Sequence, residues 1–172
     1  MSDDLRTFIR EVPDFPQPGV LFRDVTPLMK DPTAFNTALD AMEAYLAGRV
    51  VNSIVGIESR GFLFGAPLAA RLGLPFVPVR KPGKLPWQTV SASYDLEYGT
   101  DALEIHHDAV ESGQRVLIVD DLLATGGTAQ ATVELIKRGG AEVAGLSFLI
   151  ELEALHGRSR LDGEEIFVAL RY

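Results

Sequence analysis

The sequence contains no cysteine, and this absence excludes several kinds of site. A chain without thiols has no disulfide framework, no thiolate zinc site and no cysteine nucleophile. It also suits a reducing compartment, where disulfides rarely persist. The three histidines, His106, His107 and His156, lack the spacing of a metal site, and we expect them to be structural or exposed.

An excess of positive charge is also missing. The chain has 16 lysines and arginines against 24 aspartates and glutamates, a net charge of −8. Proteins that bind DNA or RNA usually carry a basic face, so we expect no nucleic-acid partner. A small anion can still bind, because a local nest of backbone N–H groups can outweigh the global charge.

Long apolar runs are absent as well. No stretch reaches about 18 uninterrupted apolar residues, so we expect no membrane span. The N-terminal residues are acidic and show no signal peptide. With the lack of cysteine, these features predict a cytoplasmic protein. The length of 172 residues is typical of one domain, so we predict a single domain over residues 1–172.

Strand-like and helix-like segments alternate along the chain. The runs RVLIVDD and AEVAGLSFLIEL are apolar at consecutive positions, which is typical of strands buried on both faces of a parallel sheet. Asp31, Pro32 and Gly48 have the chemistry of a helix cap, a first turn and a stop. The alternation predicts an α/β fold with a doubly wound, mostly parallel central sheet flanked by helices.

Two other segments interrupt this alternation. Leu5, Phe8, Ile9 and Val12 would share one face of a short helix over residues 4–12. Residues 82–105 begin with turn residues and continue with alternating ones, which predicts a long loop followed by a two-stranded ribbon.

The stretch VLIVDDLLATGGT, residues 116–128, carries the strongest functional signal. Asp120 and Asp121 follow an apolar strand, and the carboxyl ends of such strands border the ligand site in open α/β sheets. The next residues enter a helix N-terminus, where free N–H groups favour an anion. We call residues 124–128 the phosphate loop. Two carboxylates beside a phosphate would repel it unless they bind hydroxyl donors or a magnesium ion that neutralises it. A phosphorylated sugar with free vicinal hydroxyls would suit both the loop and the acids.

This stretch resembles the signature of the type I phosphoribosyltransferases, which bind 5-phosphoribosyl-1-pyrophosphate. Three further segments, FPQPGVLFRDVTPLMKDP, ESRGFLFGAPLAARLGLPFVPVRKPGKLP and ASYDLEYGTDALEIH, are similar to the members that use adenine. The resemblance implies transfer of the phosphoribosyl group to adenine with magnesium, in a homodimer. It also implies a small N-terminal hood over residues 1–35 for the base, and a flexible ribbon over residues 82–105.

The resemblance assigns ligands to individual residues. Asp120 and Asp121 would hold the ribose hydroxyls, with or without magnesium. The pyrophosphate would lie beside a non-proline cis peptide near Ser59. The 5-phosphate would be held by Ala124, Thr125, Gly126, Gly127 and Thr128, and the pyrophosphate by Ser59, Arg60, Arg80, Lys81 and Lys84. Glu58 receives no role, because the family varies at that position.

The remaining assignments concern the base and the catalytic step. Phe22 would stack on adenine, and the backbone of Leu21 would bind the edge of the ring that carries the 6-amino group. Glu97 would support the proton on N7 from a loop that also carries Tyr98, and Arg60 would lie beside the reacting centre.

Two alternatives remain open from the sequence. One is a related phosphoribosyltransferase for another base. The other is a non-catalytic regulator that senses phosphoribosyl pyrophosphate with the same loop. Such regulators usually add a DNA-binding segment and a basic face, and this chain shows neither.

Overall fold

The computed structural model describes residues 5–95 and 99–172. No helix within these residues has both the length and the apolar composition needed to cross a bilayer. The strands and α-helices follow one another as β1 (Arg10–Pro13), β2 (Leu21–Asp24), α1 (Thr26–Lys30), α2 (Pro32–Tyr45), β3 (Ser53–Ile57), α3 (Arg60–Leu72), β4 (Phe76–Val79), β5 (Thr89–Asp95), β6 (Thr100–His106), β7 (Arg115–Leu123), α4 (Gly127–Arg138), β8 (Glu142–Glu151) and β9 (Ile166–Arg171).

A five-stranded parallel sheet forms the centre of the fold, in the order β4-β3-β7-β8-β9. All residues of β3 and most residues of β7 and β8 are buried. Burial on both faces explains why these strands are apolar at consecutive positions instead of alternating. The predicted mostly parallel sheet is confirmed.

Helices cover both faces of this sheet. Leu117 and Ile118 are neighbours in β7, and their side chains enter opposite cores because successive strand residues point to opposite faces. Ile118 packs in the core that contains Leu135 of α4 and the apolar residues of β5 and β6. Leu117 packs in the core that contains Phe64 of α3 and the buried face of α2.

The predicted start of α2 is confirmed. The Asp31 side chain accepts hydrogen bonds from the N–H groups of Thr33 and Ala34, both at 2.9 Å, and thereby caps the helix. Helix α3 contains Pro67 and still runs without a break from Arg60 to Leu72.

The predicted helix over residues 4–12 was wrong. Leu5–Phe8 form a single 3₁₀ turn, and Arg10–Pro13 form β1, which pairs antiparallel with β2. Leu5 and Ile9 are buried as their apolar character suggests. The helical spacing of a few apolar residues also fits a turn followed by a strand, and pairing with β2 selects the strand.

The ribbon predicted within residues 82–105 is formed by β5 and β6, which pair antiparallel from Thr89 opposite His106 to Asp95 opposite Thr100. The backbone of Arg80 exchanges two hydrogen bonds with Glu104, at 2.9 and 2.7 Å. These bonds attach the ribbon to the carboxyl end of β4, which is the edge of the sheet where ligands are expected.

Candidate active site

The two predicted acids lie where β7 runs past its neighbour β3. Pairing between the strands ends at Gly56 and Val119, whereas β7 continues alongside β8 as far as Leu123. Asp120 and Asp121 therefore lie within the strand, on the part that has a partner on one side only. The sequence predicted that the strand ends at Asp121, whereas β7 continues for two more residues, to Leu123.

Both acids are almost completely withdrawn from water. Asp120 and Asp121 expose 8% and 4% of their surface. Burial raises the pKa of Asp120 well above its ordinary value, and the charge of Asp121 raises it further. Burial also raises the pKa of Asp121, although the guanidinium of Arg60, with Nε 2.7 Å from Asp121 Oδ2, opposes this effect. The pair therefore favours a ligand that brings hydroxyl donors or positive charge.

A glycine beside Arg60 allows this close arrangement. A Cβ atom on Gly61 would lie 2.7 Å from the Val119 carbonyl oxygen and 2.9 Å from Asp120 Oδ1. Any side chain here would push the start of α3 away from β7 and separate Arg60 from Asp121. Sequence reasoning did not select Gly61, because its requirement comes from a strand almost sixty residues away.

The phosphate loop connects β7 to α4 and lines a cavity of about 270 Å³. Gly126 has φ of +83°, a left-handed conformation that glycine adopts without a steric penalty. Among the described residues no side chain caps α4, so N–H groups at the start of the helix remain available to a ligand. The wall of the cavity thus combines backbone donors with the side chains of Thr125 and Thr128.

Three further residues of the cavity wall form one hydrogen-bonded group. Lys81 Nζ and Tyr94 Oη both donate to Asp101 Oδ2, at 2.6 and 3.0 Å. Burial and the bond to Asp101 raise the pKa of Tyr94 to about 12, so it remains a donor. The Tyr94 ring packs on the start of α4, since a Cβ on Gly127 would lie 3.1 Å from it. Sequence reasoning missed Tyr94 and Asp101, because only the cross-strand register makes them neighbours.

The segment predicted to receive pyrophosphate is organised by Glu58. Its carboxylate accepts from Arg80 Nε and Nη2, both at 3.2 Å, and from the Lys81 backbone N–H at 2.9 Å. Burial raises the pKa of Glu58, but these donors outweigh burial and lower it overall. The peptide bond between Glu58 and Ser59 is cis, as the resemblance implied. Glu58, left without a role from the sequence, therefore positions this segment.

Two of the predicted cations in this segment, Arg80 and Lys81, already have partners. Arg80 is bound to Glu58 and also donates from Nη1 to the Lys84 backbone carbonyl at 3.1 Å. Lys81 is bound to Asp101. The structure thus brings Arg80 to Glu58, the residue that precedes Ser59, and Lys81 to the wall of the cavity.

The predicted base-binding residues lie on β2. The Phe22 ring meets the Phe15 ring edge-on, with centroids 5.1 Å apart, and Leu21 is 43% exposed. The guanidinium carbon of Arg60 lies 5.1 Å from the Phe22 centroid. Arg60 therefore contacts both Asp121 and Phe22, and one side chain connects the buried acids to the aromatic ring.

Comparisons with known proteins identify the family. A family model for the phosphoribosyl transferase domain matches residues 39–169. The adenine phosphoribosyltransferase of Desulfitobacterium hafniense is 56% identical over 169 residues, which cover 98% of each chain. The chain belongs to the adenine phosphoribosyltransferase family. The family predicted from the motifs is therefore confirmed.

Solved structures of this family have the same fold over the whole chain. The adenine phosphoribosyltransferase of Thermoanaerobacter pseudethanolicus is similar with a TM-score of 0.97 and 54% identity, covering 99% of both chains. That of Saccharomyces cerevisiae, in complex with D-2,5-dideoxy-2,5-imino-altritol 1,6-bisphosphate and adenine, has a TM-score of 0.93 and 43% identity over 96% of both chains.

Two predicted residues of the family motif, Glu97 and Tyr98, lie outside the described residues. Their assignments therefore stay predictions. Asp95, which precedes this segment, lines the cavity with the phosphate loop, and its carbonyl oxygen would lie 3.5 Å from a Cβ on Gly127.

Proposed function

We propose that this chain transfers the 5-phosphoribosyl group from phosphoribosyl pyrophosphate to adenine, giving AMP and pyrophosphate in purine salvage. The protein is thus a pentosyltransferase among the glycosyltransferases. The observation that carries the proposal is the position of Arg60, between Asp121 and Phe22. The bond that forms joins the ribose to the base. Arg60 lies between the residue expected to hold the ribose, Asp121, and the residue expected to hold the base, Phe22.

The phosphate loop and the acids would bind different parts of the sugar phosphate. Residues 124–128 would hold the 5-phosphate through N–H groups and hydroxyls, and Asp120 and Asp121 would accept hydrogen bonds from the ribose diol. A hydroxyl donor suits the buried acids because a hydrogen bond offsets part of the cost of burying their charge. This arrangement favours a sugar phosphate over a simple anion, which the acids would repel.

Magnesium fits this site as a companion of the substrate. The described residues contain no group of three or more His, Cys, Asp or Glu side chains that could hold a metal ion. Mg²⁺ in proteins is commonly bound by one or two carboxylates together with substrate phosphates, and Asp120 and Asp121 can supply those carboxylates. When bound, the ion neutralises the pyrophosphate and stabilises it as a leaving group.

The protein's own contribution is to position and neutralise the substrates. Ser59, Arg60, Arg80, Lys81 and Lys84 would receive the pyrophosphate. Arg80 and Lys81 already contact Glu58 and Asp101, so pyrophosphate has to compete for them. We also propose a homodimer with the segment around residues 80–84 near its interface, and a cytoplasmic location.

The base would be held by the hood, residues 1–35, within a single domain over residues 1–172. Phe22 offers a flat apolar face, and the backbone of Leu21, a residue that is 43% exposed, would bind the edge of adenine. Attack by N9 on C1 from the face opposite the pyrophosphate inverts that carbon, and no residue forms a covalent intermediate.

A competition between free bases tests the substrate assignment. With labelled phosphoribosyl pyrophosphate and equal concentrations of adenine, hypoxanthine, guanine, xanthine and orotate, we expect AMP as the labelled nucleotide. Formation of another nucleotide instead of AMP would assign the chain to a different base. Tight binding of phosphoribosyl pyrophosphate without any nucleotide would indicate a regulator.

The role of Glu97 is tested by Glu97→Ala. Loss of support for the proton on N7 should lower kcat by about 100-fold, which is typical for removal of a general acid or base. The KM for phosphoribosyl pyrophosphate should change little, because this residue is assigned to the base. Glu111→Ala, which removes an exposed acid after the ribbon, serves as the control. Unchanged turnover in Glu97→Ala would remove this residue from the mechanism.

A further inference from the structure

The phosphate loop is supported from behind by the turn that follows β8. This turn is a short 3₁₀ helix, Gly157–Arg160, and Gly157 is buried. A Cβ on Gly126 would lie 2.5 Å from the Gly157 carbonyl oxygen. A Cβ on Gly157 would collide with the Ala124 carbonyl oxygen and would lie 3.0 Å from Leu123 Cδ1. Two stretches of backbone are thus in direct contact, with no side chain between them.

A bidentate ion pair attaches this turn to the sheet. Arg158 donates from Nε to Glu151 Oε1 at 2.7 Å and from Nη2 to Oε2 at 2.9 Å. Glu151 is the last residue of β8, and its side chain is 5% exposed. Two parallel bonds between a guanidinium and a carboxylate fix orientation as well as distance.

The anchor point lies next to the origin of the phosphate loop. Glu151 is paired in register with Leu123, the last residue of β7, and the Leu152 N–H donates to the Leu123 carbonyl at 3.0 Å. The ion pair therefore holds Gly157 relative to the same strand end from which the loop departs. Arg171 approaches the Glu151 carboxylate less closely, with Nε 3.7 Å from Oε2, and does not contribute to this turn.

We propose that Arg158 and Glu151 are a positioning pair that holds Gly157 against Ala124 and Gly126 and thereby sets the shape of the 5-phosphate site. The inference rests on the proposed function of the phosphate loop. It extends that function to residues that touch no substrate, and it assigns no role to them in binding adenine. The backbone N–H groups of the loop move with the backbone, so a shift of Ala124 or Gly126 displaces these donors directly.

The test uses the nearly isosteric Glu151→Gln and the charge-conserving Arg158→Lys in the full chain. Both should raise the KM for phosphoribosyl pyrophosphate and the Kd for ribose 5-phosphate by about 10- to 100-fold, the range expected when a binding group is misplaced by up to 1 Å. The KM for adenine should stay within about twofold of wild type. Arg158→Met, which removes the charge, should have a larger effect than Arg158→Lys.

Gly157→Ala tests the same contact without changing any charge. The added methyl group collides with the Ala124 carbonyl, so the Kd for ribose 5-phosphate should rise here too. Leu39→Ala, on the buried face of α2, is the control for general destabilisation and should lower Tm without changing either KM.

The outcomes separate this inference from the function on which it rests. If the wild type binds ribose 5-phosphate in calorimetry and the variants bind it equally well, the pair is only structural and the inference is wrong. A parallel loss of affinity for adenine and for the sugar phosphate would also overturn it. If the wild type binds ribose 5-phosphate but makes no AMP, the substrate assignment fails, and the Kd of the variants for ribose 5-phosphate still tests the inference. A wild type that does not bind ribose 5-phosphate contradicts both.

Discussion

Replacing Asp120 and Asp121 together by asparagine should weaken binding of phosphoribosyl pyrophosphate by roughly 100-fold or more, since hydrogen bonds to charged groups contribute about 1.5–3 kcal/mol each. The sign of the effect is informative. The ligand is an anion, so two acids that merely lay near it would repel it, and their neutralisation would raise the affinity. A loss of affinity requires that the carboxylates bind the ribose diol or a cation. Titration calorimetry with the free ligand measures the change.

The same double variant should keep its fold. The two buried carboxyls repel each other and resist ionisation, so asparagine removes a cost in the free protein. The hydrogen bond from the Asp121 N–H to Asp120 Oδ1, 2.9 Å long, can be retained by an amide oxygen. We expect Tm at or above that of the wild type, and Asp108→Asn, an exposed acid, provides the control. Affinity close to that of the wild type would contradict the assignment.

Arg60→Ala should lower kcat by roughly 100- to 1000-fold, the range found when one preorganised donor to a developing charge is removed. The guanidinium is held between Asp121 and Phe22, so it is ordered before substrate arrives. Arg60→Lys should recover little of the loss, because an ammonium group cannot reproduce the planar fork of donors. Steady-state kinetics with both substrates varied separates the loss in kcat from a change in KM.

Helix α3 supplies a matched control for this prediction. Arg71 lies on the same helix and pairs with Asp40 at 2.6 Å, on the surface of α2. Such exposed pairs contribute up to about 1 kcal/mol to stability, so Arg71→Ala should leave turnover unchanged. If Arg60→Ala behaves like Arg71→Ala, Arg60 is an ordinary surface cation and has no part in the reaction.

The secondary structure that sequence reasoning predicted around the candidate site is contiguous in the chain. The buried strand β7, the acids within it, the glycine turn and α4 all lie between residues 115 and 138. Their order along the chain is also their order in space, because a strand followed by a tight turn and a helix leaves little freedom. The start of α2 at Asp31 was predictable for the same reason, since a cap acts within three residues.

Three of the residues that were missed, Glu58, Asp101 and Gly61, depend on contacts between distant segments. Glu58 binds Arg80 and Lys81 across the ends of β3 and β4, and Asp101 meets Lys81 through the position of the ribbon. Gly61 is required by the backbone of Val119. In each case the residue type alone is ordinary, and a partner twenty or more residues away gives it a role. The mistaken helix near the N-terminus has the same origin, because its pairing with β2 outweighs the local spacing.

Amino-acid chemistry along the chain was sufficient to predict a parallel α/β fold, a glycine-containing loop at a helix N-terminus and two acids just before it. These features arise from burial, glycine geometry and helix ends, which act over a few residues. Packing of the whole chain decided that Arg60 lies between Asp121 and Phe22, and that Gly157 lies against Ala124 and Gly126 beside the Glu151–Arg158 pair. Such distances depend on how sheet, helices and hairpins pack together, and no short stretch of sequence contains both Arg60 and Asp121, or both Gly126 and Gly157.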